Sequence, residues 1–72
     1  MKTWRDYQKR TVLEQCAVIT TRLSRNRWET LVFPLDAAGA PDLTQLELDG
    51  ESNHTWREAA EAHRRYVRQR QG

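Results

Sequence analysis

The sequence predicts an α+β fold in which an antiparallel β-hairpin packs on one C-terminal α-helix. Three observations carry this reading. Cys16 to Leu23 and Trp28 to Leu35 are β-branched, aliphatic and aromatic runs separated by a polar tetrapeptide, as in two strands joined by a tight turn. Thr55 stands three residues before Glu58, the spacing of a capping box at a helix start. Beyond it Trp56, Ala59, Ala60, His63, Tyr66 and Val67 recur at helical spacing, while Arg57, Glu58, Glu61, Arg64, Arg65 and Arg68 take the other side.

Along the chain, residues 1–15 form an N-terminal arm. Trp4 and Tyr7 share one helical face, which predicts a short helix or arm over Trp4 to Lys9, whereas Thr11, Val12 and Leu13 would extend the first strand. Residues 16–35 are the hairpin, with Asn26 suited to a left-handed loop position and Pro34 to a strand end. A loop of all four residues Ser24 to Arg27 sets Leu23 opposite Trp28, Thr21 opposite Thr30 and Ile19 opposite Val32, with Arg22 meeting Glu29 and Val18 meeting Phe33. One face then holds Ala17, Ile19, Leu23, Trp28 and Val32, and the other Cys16, Val18, Leu31, Phe33 and Leu35. Both are apolar, and a single helix covers only one. Trp28 is well sized to meet Ala59 and Ala60, so Val18, Leu31, Phe33 and Leu35 are expected to look outward.

Residues 36–54 read as a connector. Gly39 and Pro41 break regular structure, Leu43 to Asp49 alternates as a third strand does, and Asp49 to Asn53 reads as a turn. The helix occupies residues 55–70, its body running from Trp56 to Gln69. Ala59 and Ala60 admit a close approach to the sheet, and the last-turn arginines complement the helix dipole.

Seventy-two residues make a single domain, and a chain this short buries only roughly 60% of the surface its unfolded form exposes. The lone Cys16 excludes an internal disulfide, and His54 and His63 are too sparse for a structural metal. No cofactor is expected, which leaves oligomerisation or docking into a larger assembly as outside support. There is no run of about 18 apolar residues and no apolar signal stretch after Met1, so neither a membrane nor export is expected. Ten of the twelve basic residues are arginine, which fits a GC-rich genome. The formal charge of +2 is unevenly spread, with Asp36 to Glu51 purely acidic and the tail beyond Arg64 purely basic.

Catalysis is not expected. Ser24 and Ser52 lie in turns without a glycine elbow, Cys16 lies mid-strand, and no glycine-rich phosphate loop or small-molecule site is evident. His63 reads as a core histidine bonded to a sheet carbonyl or a turn. Arg64, Arg65, Arg68 and Arg70 around Tyr66 come nearest to a nucleic-acid contact, and Arg22, Arg25 and Arg27 form a second cluster at the hairpin tip. Glu58, Glu61 and the acidic connector oppose such a contact. Three tryptophans are many for so small a core; Trp28 and Trp56 are assigned to it, and the excess favours protein binding.

The segment Trp28-Glu29-Thr30-Leu31-Val32-Phe33, followed by Thr55-Trp56-Arg57-Glu58-Ala59-Ala60-Glu61-Ala62-His63 and Val67, resembles short uncharacterised proteins of tailed actinobacterial phages. Those carry a W-E-T-M-V-F-like strand and a T-x-E-E-A-x-x-G-H-like helix. Here Leu31 stands for methionine, Ala62 for glycine and Arg57 for an acid, and the first 27 residues have no counterpart. The resemblance implies a phage origin and a β-β-α core, without an activity to transfer. The expectation is a non-enzymatic phage interaction protein in the host cytoplasm or the virion, most simply a virion-associated accessory subunit. Its contact with a protein partner or a second copy would use Trp4, Tyr7, Val18, Leu31, Phe33 and Leu35. The alternative is a small nucleic-acid-binding regulator acting through Arg64, Arg65, Arg68 and Arg70.

Overall fold

A computed structural model describes residues 7–71. The elements are β1 (Gln8–Val12), β2 (Cys16–Ser24), β3 (Arg27–Pro34), β4 (Asp49–Asn53) and α1 (Trp56–Gln71). The strands form one antiparallel sheet in the order β1-β2-β3-β4, and α1 packs across one face of it. The fold is therefore α+β, with hairpin and C-terminal helix as expected and two further strands at the edges.

Both edge strands are corrections to the sequence reading. Gln8 to Val12 is a strand rather than the end of a short helix or arm, and the chain turns back where Leu13 N–H donates to Cys16 O at 2.8 Å. Asp49 to Asn53, expected as a turn, is the fourth strand, and the leucine-bearing stretch expected as a strand stays in the connector. Strand β4 is polar because it is an edge held by backbone pairing and needs few apolar side chains. Gly50 is required there: a Cβ on it would lie 2.5 Å from Leu31 Cδ2 and 2.9 Å from Thr30 O. The connector is pinned at both ends, by Asp42 N–H to Pro34 O at 2.8 Å and Leu48 N–H to Val32 O at 2.7 Å.

The hairpin register departs from the expected one by a single residue. Ser24 pairs with Arg27 across a two-residue turn, as the expected register continued to the tip would have it, but a bulge between Arg22 and Ser24 then shifts the strands. Arg22 consequently faces Trp28, Thr20 faces Thr30, Ile19 faces Leu31 and Val18 faces Val32. The extra residue is Leu23, which is 40% exposed. No described non-glycine residue, Asn26 included, has positive φ, so the bulge rather than a left-handed Asn26 shapes this turn.

A slip of one residue exchanges the faces of one strand relative to the other. Val18 thereby moves from the expected outward set to the helix side, where it is fully buried with Val32 and packs with Cys16 and Tyr66. Ile19 moves the opposite way. Each of Val18 and Val32 stabilises the fold by about 1.5–3 kcal/mol through burial.

The helix starts where the capping box places it. Glu58 N–H donates to Thr55 Oγ1 at 3.1 Å, while Glu58 Oε1 accepts from the N–H groups of Thr55 and His54 at 3.3 and 3.2 Å. Ala59, Ala62, His63 and Tyr66 form its buried stripe. Ala62 thus belongs to the core, whereas Trp56, assigned to the core from its spacing, is 56% exposed. Trp56 sits at the first helical position, beside the end of the sheet rather than on it.

Candidate functional site

His63 ties the two layers together. Its Nδ1 lies 2.7 Å from Thr20 Oγ1 and its Nε2 lies 2.8 Å from Thr11 Oγ1, while Thr20 Oγ1 lies 2.7 Å from Thr30 Oγ1. The partners are thus sheet hydroxyls, not the carbonyl or turn expected for this histidine. Burial, with the Lys9 ammonium second, holds the imidazole below its ordinary 6.5. A neutral ring has one donor and one acceptor nitrogen, and both are engaged, so His63 is spent on structure.

The expected nucleic-acid arginines divide. Arg65 pairs with Glu51 and Arg70 Nη2 lies 3.7 Å from Asp49, both acids being on β4. Burial raises the Glu51 carboxyl, but hydrogen bonds from Asn53 and Arg65 and the Arg65 charge outweigh it and leave it below its ordinary value. Glu51 in turn raises the Arg65 guanidinium, first by hydrogen bonding and then by charge. Burial, then the charges of Asp49 and Glu51, push the Tyr66 phenol up. Two of the four arginines are therefore paired with acids of the sheet edge while staying partly exposed, and Arg64 and Arg68 lie on the exposed side of the helix.

The sheet face opposite the helix is the more developed surface. Gln8, Arg10 and Val12 of β1, Ala17, Ile19 and Thr21 of β2, Glu29, Leu31 and Phe33 of β3, and Gly50 and Ser52 of β4 share it by register. Near its centre is a depression of about 180 Å³. Ile19, Leu31, Phe33 and Leu43 make its apolar surface, and Gln8, Thr21 and Glu29 its polar rim. Leu31 and Phe33 are half-buried, and Leu35, bridged to Pro41, continues the apolar strip as the chain enters the connector. That connector leaves Leu43 and Leu48 each 53% exposed and Leu46 87% exposed.

Of the six residues expected to meet a partner, Leu31 and Phe33 line this depression and Leu35 adjoins it. Val18 does not belong to it, for the register reason above. Tyr7 is on the helix side, its ring edge-on to Trp28 at 5.1 Å between centroids. Trp4 lies outside the described residues. Ile19 and Leu43 were missed as lining residues; the leucine-rich connector, acidic but apolar at every second or third position, was the signal for the latter.

No helix among the described residues is long and apolar enough to cross a membrane. Compared with family models, curated proteins and solved structures, the chain matches none.

Proposed function

We propose that this chain is a non-enzymatic binding subunit whose open sheet face seats an apolar protein surface. The observation that carries this is the depression formed by Ile19, Leu31, Phe33 and Leu43 on the face opposite the helix. An apolar centre inside a polar rim is the anatomy of a protein contact, with the anchors desolvated and the rim keeping the free chain in solution. The connector that supplies Leu43 also leaves Leu46 and Leu48 exposed. A non-catalytic role is supported by how the reactive groups are used: both His63 nitrogens engage threonines, Cys16 is buried, and Glu58 caps the helix.

The resemblance of Trp28–Phe33 and Thr55–Val67 to short proteins of tailed actinobacterial phages favours a virion as the setting, with the chain as an accessory subunit. Mass spectrometry of purified particles of the encoding phage tests this. Copies at a fixed ratio to a capsid or tail protein are expected, whereas a chain found only in the infected cell and absent from particles would overturn the virion role. The tail-mediated nucleic-acid reading is weakened by the pairing of Arg65 and Arg70 with β4.

A further inference from the structure

Tyr7 and Trp56, the exposed aromatic residues among those described, lie on the helix side, away from the depression. Tyr7, Trp28 and Trp56 line two adjoining cavities between the hairpin tip, β1 and the helix start, of about 500 and 80 Å³. Arg22 and Arg25 border the larger, and Lys9 and Arg64 the smaller. Among the described residues no aspartate or glutamate lines either one.

The rings are held in place by one another. Trp28 is only 4% exposed and forms the floor, with Tyr7 against its edge at an interplanar angle of 76° and the Arg22 guanidinium 5.3 Å from its ring centroid. Arg22 is fixed further by donating from Nε to Ser24 O at 3.3 Å and from Nη2 to Arg25 O at 3.0 Å. A guanidinium has five N–H donors, so others stay available over the cavity. Trp56, at 56% exposure, presents the largest uncovered aromatic surface in the described chain, and Tyr7 is 38% exposed.

We propose that this groove binds single-stranded nucleic acid, with bases stacking on Trp56 and Tyr7 and phosphates meeting Arg22, Arg25, Lys9 and Arg64. Rings interleaved with cations and free of acids are the composition of sequence-tolerant single-strand sites. The larger cavity is of the size that holds a small ligand, about 300–1,000 Å³, and so takes a nucleotide. Splayed bases reach rings set in a concave wall, whereas duplex bases are stacked inside their own helix. This inference is independent of the docking face, because the two surfaces lie on opposite sides of the sheet.

Fluorescence anisotropy of the full chain with a labelled oligothymidine of about ten nucleotides tests it. Binding is expected at low salt, and with four phosphate contacts it weakens roughly fifty-fold between about 50 and 200 mM salt. Trp56→Ala should weaken it by roughly five- to 150-fold, the loss of about 1–3 kcal/mol of stacking, and Trp56→Phe should restore most of the affinity. Arg68→Ala, outside the groove, should change little. Circular dichroism confirms that the variants fold, and Arg25→Glu, at an exposed tip residue, supplies a second variant expected to weaken binding. The proposal is overturned by no binding at low salt, by equal affinity of the wild type and a folded Trp56→Ala, by preference for a duplex, or by binding to phosphatidylserine vesicles without binding to the oligonucleotide.

Discussion

His63 Nδ1 lies 2.7 Å from the hydroxyl of Thr20, joining the middle of the helix to the second strand of the sheet across the domain interior. Burial and Lys9 keep the folded-state pKa of this histidine below 6.5. The unfolded chain therefore takes up the proton first, so stability is fully present above 6.5 and declines as pH falls below it toward the folded-state value. Urea midpoints should hold steady from about pH 8 to 7 and drop on acidification below about 6.5. His63→Gln should remove that drop. Glu51, held below its ordinary 4.5, adds a separate loss only in more acid solution. A His63→Gln chain with the wild-type slope between pH 6.5 and 4.5 would assign the effect to another group.

At the helix start, Thr55→Ala should cost about 1 kcal/mol by leaving the Glu58 N–H without its hydroxyl partner. For a domain of this size that is a fall of about 4–8 °C in Tm. Thr55→Ser should retain most of the stability, since it keeps the hydroxyl. An unchanged melting temperature for the alanine variant would mean that this cap does not hold the first turn.

Gly50→Ala probes the polar edge strand. Its added Cβ meets Leu31 Cδ2, which can move, and Thr30 O, whose strand is paired on both sides and has little room to retreat. Thermal or urea unfolding should show a loss of about 1–3 kcal/mol, as in other overpacked positions. A variant within about 0.5 kcal/mol of wild type would mean that β4 is not seated this close to β3.

What the sequence disclosed and what it hid follow from the same physics. Strands β2 and β3 were legible because β-branched and aromatic residues run unbroken, and the helix because Thr55 and Glu58 mark its start before a 3.6-residue stripe. The expected outward positions of Leu31, Phe33 and Leu35 agree with the structure. Val18 and Ile19 were exchanged because nothing in Arg22-Leu23-Ser24 announces a bulge, and one inserted residue reverses every face beyond it. Strands β1 and β4 were hidden because Gln8-Lys9-Arg10 and Asp49-Gly50-Glu51 are polar, their strand character coming from the neighbour's backbone. Conversely, Leu43, Leu46 and Leu48 alternate like a strand yet remain largely exposed in the connector. The connector's leucines signalled an apolar contribution, but that Leu43 is the one to join Ile19, Leu31 and Phe33 depends on the path of the connector.

The corrected register carries its own test. Val18→Ala should cost at least about 1.5 kcal/mol in urea unfolding, because the lost methyl groups leave a gap in a fully enclosed core. Leu46→Ser, at a residue 87% exposed, should stay within about 0.5 kcal/mol of wild type. Equal costs at the two positions would contradict the assignment of Val18 to the helix side.

The proposed docking face, taken together with the proposed virion setting, is tested most directly by counting copies of the chain in purified particles when the wild type is replaced by Leu31→Asp with Phe33→Asp. Far-ultraviolet circular dichroism of the purified variant establishes folding, and Leu43→Asp, at a half-exposed residue of the same depression, serves if the double change unfolds. A folded chain is expected, present in the cell at wild-type level and retained in particles at less than about a tenth of the wild-type copies, a loss of more than about 1.4 kcal/mol in binding. A folded variant retained at wild-type copy number would contradict it.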